Sequence, residues 1–157
     1  MNKTTFIILT LHCFSVYAED FSWFNGKWIS DWDATRAENT VIERMSEESI
    51  AKLKSLFRKT KWEVSDGFLT TIQEEIGADY QALYTINPSF TDGYDYEISL
   101  TDDDKNYTSF NIKRTKDGFC LHIASMMGAD PNGGMYYTTW EGKEVDGIVE
   151  CYKPFEA

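Results

Sequence analysis

The chain has 157 residues, with 26 acidic against 15 basic and a formal charge of −11. That is one domain's worth of sequence, and an aromatic content of 15% gives enough apolar bulk to bury a core, which excludes a disordered chain. The charge excludes a protein that tracks nucleic acid, since a polyanion would be repelled, and no run approaches the roughly 20 apolar residues of a membrane span.

Residues 1–18 read as a signal peptide: Lys3, an apolar stretch over 6–11, then Val16-Tyr17-Ala18 as a cleavage site. A lipid-modified Cys13 and a buried N-terminal segment are the alternatives. Cleavage would leave a single domain over 19–157, and loss of Lys3 leaves 14 basic against 26 acidic residues, a charge of −12. Cys120, Cys151 and His122 would be the Cys and His that remain. A Cys pair in an exported, periplasmic or secreted chain suggests a disulfide, with two buried thiols as the alternative.

A first strand is predicted over 27–31 and a short helix within 34–45. A longer helix starts at Ser46, which can cap it, with Glu47 and Glu48 in its first turn and Ile50, Leu53, Leu56 and Phe57 as its apolar stripe. Strand runs follow over 61–65, 68–73, 80–86, 94–100, 108–114, 119–124, 136–140 and 148–152. Tyr94, Tyr96, Ile98 and Leu100 alternate with polar residues, as a half-buried strand requires. Asp66-Gly67, Asp92-Gly93, Asp117-Gly118, Asn132-Gly133 and Asp146-Gly147 are turn pairs, because both residue types tolerate positive φ. The chain is therefore all-β, an antiparallel meander of eight or nine strands, closed as a barrel or folded as a β-sandwich.

Gly26-Lys27-Trp28 at the start of the first strand resembles the Gly-x-Trp of the calycins, the superfamily of lipocalins and fatty-acid-binding proteins. The order of strand, helix and meander is similar to the fatty-acid-binding branch, and the chain also resembles small exported bacterial lipocalin-like proteins. The resemblance implies a lipocalin-like barrel with a helix after the first strand. In it Gly26 and Trp28 are structural, and Lys153 is the nearby basic residue to lie over Trp28. Carboxylate-binding members carry Arg-x-Tyr on the last strand; here Glu150-Cys151-Tyr152 stands instead, and Glu150 would repel an anionic fatty acid.

Period two turns Arg114 inward with Phe110 and Ile112, and Glu150 inward with Ile148 and Tyr152, so an Arg114–Glu150 contact is expected. The same parity places Cys120 and Cys151 together on the outer face. Tyr84, Tyr96, Phe110, Arg114, Trp140, Glu150 and Tyr152 are the candidate ligand-binding residues, as aromatics with a few polar handles. The loop over 128–134 would guard the mouth. No catalytic constellation, metal site or cofactor motif is found. Cys120-x-His122 lacks a second ligand pair, and the acidic run from Asp102 has Tyr107 and Lys113 where a calcium loop needs Gly and Glu. Asn106-Tyr107-Thr108 is a glycosylation sequon, meaningful only in a eukaryotic secreted chain. The expected function is binding of a small apolar or amphipathic ligand, not catalysis. The rival is a solid-core protein that docks a basic protein partner or inhibits a cationic hydrolase.

Overall fold

A computed structural model describes residues 20–57, 60–65, 67–73, 78–123, 137–140 and 142–156. The proposed signal peptide and the loop over 128–134 lie outside the described residues. Among the described residues, β1 (Gly26–Ser30) is followed by α1 (Trp32–Glu38) and α2 (Glu47–Phe57). Then come β2 (Thr60–Ser65), β3 (Phe68–Gln73), β4 (Ala78–Pro88), β5 (Tyr96–Thr101), β6 (Tyr107–Arg114) and β7 (Phe119–Ile123). Last are β8 (Tyr137–Trp140), β9 (Lys143–Asp146) and β10 (Ile148–Pro154). Strands β1 to β7 and β10 close a barrel in which β10 pairs with both β7 and β1. Every neighbouring pair is antiparallel. The meander is thus a barrel and not a sandwich.

The run over 136–140 is not a barrel strand. β8 pairs with β9 alone, and this hairpin is inserted between β7 and β10. Its Trp140 is buried against Cys120, Val149 and Cys151, on the outside of the wall. Tyr94 also turns out of register: strand β5 starts at Tyr96, and the Tyr94 ring lies 5.2 Å from that of Trp140. Cys120 and Cys151 are direct register partners on β7 and β10, and they form a disulfide.

One end of the barrel is plugged by a 3-10 turn, Ser22–Phe24. Phe24 is completely buried, 5.2 Å from the Phe119 ring and 5.5 Å from Tyr84. Trp28 donates its indole N–H to the Phe24 carbonyl at 2.9 Å, which gives a buried aromatic its polar partner. Gly26 has φ +139 with nothing near where a Cβ would sit, so its role is conformational. Lys153 does not lie over Trp28; it pairs with Asp31 at 3.2 Å, because its position on β10 faces outward. The helices cover the opposite side of the first strand: Trp32 and Phe57 are buried with rings 6.3 Å apart. Ser46 accepts the Ser49 N–H as the cap of α2. Ile50, Leu53 and Phe57 reach the core, but Leu56 is exposed, off the stripe.

Gly118 serves a purpose other than positive φ. A Cβ there would stand 2.0 Å from the Tyr152 carbonyl oxygen, so the chain crosses β10 at a distance that only glycine allows. Backbone cannot swing aside as a flexible side chain can. Gly118→Ala is expected to destabilise the protein by about 2 kcal/mol, as overpacking does. Urea unfolding checks it; an unchanged midpoint would count against that close approach.

Candidate functional site

The barrel interior is built by alternation. On β10, Ile148 and Tyr152 join the main core while Val149 and Cys151 join the outer cluster, so Glu150 faces inward. On β7, Phe119, Leu121 and Ile123 face inward, and Leu121 is the register partner of Glu150. On β1, Ser30 is the partner of Tyr152. Three polar side chains, Ser30, Glu150 and Tyr152, therefore meet inside the wall, beside Leu121 and Ile148.

The aromatic side of this site is ordered. Trp62 lies 4.8 Å from Tyr152, and Phe119 stacks on Tyr152 at 5.2 Å with an interplanar angle of 13°. Trp28 meets Phe119 edge-on at 5.0 Å. These rings occupy the plugged end. Glu150 lies beyond Tyr152, toward the end that carries the helices, because β10 runs from there to the plug. Isoleucine and leucine flank it: Ile148 and Leu121, with Ile123 one step further along β7.

Glu150 is 4% exposed. Burial raises its pKa from 4.5 to about 7, and the nearby hydroxyls of Tyr152 and Ser30 offset only part of that cost. Its Oε1 and the Ser30 hydroxyl reach no hydrogen-bond partner of good geometry among the described residues. The Tyr152 hydroxyl is pushed well above its ordinary pKa, first by burial and then by the neighbouring carboxylate. A buried polar atom without a partner costs about 1–3 kcal/mol, so the site carries an unmet demand for a donor.

The expected Arg114–Glu150 contact is not formed. Arg114 shares the inward parity but stands at the exposed rim, with its guanidinium 4.9 Å from the Trp23 ring centroid. Its backbone N–H donates to Asp95 at 2.8 Å. The strand ends before the side chain can reach inside. Trp140 is on the outer hairpin, and its indole N–H donates to the Gly93 carbonyl at 2.7 Å. Tyr96 is buried beside the plug, against Phe21 and Trp23. Tyr84 is half-buried and donates to Asn25 at 3.2 Å, while Phe110 packs on the core. So the structure brings Glu150 and Tyr152 together and sets Tyr84, Tyr96 and Arg114 near the plugged end.

Ser30, Trp62 and Phe119 are site residues that motif reading passed over. Period two from Trp28 points to Ser30, and alternation with Val64 points to Trp62; the signal was parity, not residue type. His122 faces outward, its pKa lowered by burial, under the Tyr94 ring at 6.0 Å. No group of His, Cys, Asp or Glu among the described residues is arranged to hold a metal ion. No described helix is long and apolar enough to cross a membrane.

The closed antiparallel barrel with a helix after its first strand is consistent with a lipocalin-like fold. No protein-family model matches the chain, and no curated protein or solved structure matches it significantly.

Proposed function

We propose that the protein is an exported, calycin-like barrel that binds a small apolar or amphipathic molecule, without turnover. The observation that carries this reading is the Glu150 carboxyl, buried in the barrel with an oxygen unpartnered among the described residues and aromatic rings on one side. Binding sites of this kind pair an apolar lining with a few convergent polar groups. Tyr152 and Ser30 are the other two here. Trp28 and Gly26 play the structural part they play in the resemblance, and the Cys120–Cys151 disulfide is compatible with an oxidising compartment. Native mass spectrometry, beside a denatured run of the same sample, tests the reading. A one-to-one small-molecule increment after exposure to a lipid and metabolite pool supports it. A bare native mass counts against it.

A second reading has its own observation. On the outer face, Phe68 on β3 pairs with Leu83 on β4, which pairs with Thr101 and, through it, Tyr107. Phe68 is 42% exposed, Leu83 55% and Tyr107 65%, and the acidic turn Asp102-Asp103-Asp104 adjoins them. Such a surface suits docking of a basic protein. That partner would weaken as salt rises, whereas an interior apolar ligand would barely respond.

A further inference from the structure

We propose that the interior site takes an organic monocation, a primary ammonium group on an apolar or aromatic body, with Glu150 as its counter-charge. This rests on the binding reading above and narrows its ligand class. Few side chains face the carboxylate. From β10 these are Ile148 and Tyr152, from β7 Leu121, and from β1 Ser30. Tyr152 is the one titratable side chain among them, and it is neutral. The basic side chains of the neighbouring strands lie elsewhere: Lys27 on Glu63, Lys61 over Phe155, Lys153 on Asp31, Lys113 over Trp140 and Arg114 over Trp23. The barrel therefore holds an acid and supplies no cation for it among the described residues.

Ligand chemistry follows from that imbalance. An anionic headgroup would be repelled by Glu150. A neutral hydroxyl could donate one hydrogen bond. An ammonium group has three donors, enough for Oε1 of Glu150 and for the Ser30 oxygen. It also neutralises the buried charge, and charge-assisted bonds of this kind are about twice as strong as neutral ones. The acidic protein as a whole draws cations toward it.

The test uses matched probes on the full protein at pH 8: n-octylammonium, n-octanol and octanoate, then the 2-phenylethyl ammonium and alcohol pair. Binding is read by calorimetry and by tryptophan fluorescence. The ammonium probes are expected to bind at least about tenfold tighter than their neutral and anionic counterparts. Glu150→Gln is expected to remove that preference while the alcohols still bind. The wild-type protein provides a second readout that needs no variant: its ammonium preference should fall between pH 8 and pH 5.5, as Glu150 takes up a proton. Saturable binding with no preference for the ammonium, or a preference retained in Glu150→Gln, overturns the cation inference and leaves the barrel-binding reading standing. No saturable binding of any probe overturns both.

Discussion

Glu150→Gln should be more stable than the wild-type protein at pH 8, by on the order of 3 kcal/mol, and by less than about 1 kcal/mol at pH 5. The sign follows from the direction of the shift. Burial raises the Glu150 pKa from 4.5 to about 7, so the folded protein holds that proton more tightly than the unfolded chain does. Its contribution to stability is complete below pH 4.5 and is lost as the pH rises through about 7. The shift is about 2.5 units at 1.36 kcal/mol each, which sets the magnitude. Glutamine keeps the size of the side chain and cannot ionise. Asp31 works in the opposite sense, since its pKa is lowered despite burial by the Ala34 N–H and by Lys153. Its contribution is lost only as the pH falls below its ordinary value of 3.8, outside this window. Urea unfolding of both proteins at pH 5, 6, 7 and 8 measures the difference. Parallel curves across that range would mean that the carboxylate is solvated in the folded state.

The same linkage connects stability to binding. A cation beside Glu150 favours its charged form and lowers its pKa. The alkaline loss of stability should then shrink when an ammonium probe saturates the site. Among the described residues no cation neutralises the buried charge, and a cationic ligand would remove that cost.

The barrel was legible because alternation is a local signal. Period two places Tyr96, Ile98 and Leu100 on the inner face, and the structure buries all three. The same arithmetic set Cys120 and Cys151 on one outer face, where register pairs them directly. It also turned Glu150 inward. What parity could not give was reach. Arg114 has the inward parity, but β6 ends there, so the guanidinium lies over Trp23 at the rim. Nor could parity say which strands pair. The residues around Trp140 alternate like a barrel strand, yet β8 folds back on β9 and packs on the outside. The plug carries no periodic signal: Trp23 and Phe24 belong to a 3-10 turn of three residues, too short to have a period.

Asn39→Ala is expected to cost about 3 kcal/mol, because it strips two partners from a buried stretch of β10. β1 stops at Ser30, opposite Tyr152, while β10 extends back to Ile148. Among the described residues, no strand lies beside the edge of β10 beyond that point. Side chains from α1 and its end take the strand's place. The Asp31 N–H donates to the Cys151 carbonyl at 2.7 Å, and the Thr35 hydroxyl accepts the Cys151 N–H at 2.9 Å. The Asn39 amide then does what a paired residue would do. Its Oδ1 accepts the Val149 N–H at 2.8 Å, and its Nδ2 donates to the Val149 carbonyl at 2.7 Å. Asn39, Thr35 and Val149 are all completely buried, so water cannot substitute. Alanine leaves both Val149 groups orphaned, at about 1–3 kcal/mol each, less what local relaxation recovers. Urea unfolding measures the loss, and hydrogen exchange at the Val149 amide should accelerate with it. Thr40→Ala, at the exposed neighbour, is the control and should change little. A loss under about 1 kcal/mol would show that the edge of β10 does not depend on Asn39. The expected loss would tie the helix after the first strand to the site itself, since Val149 is the residue beside Glu150.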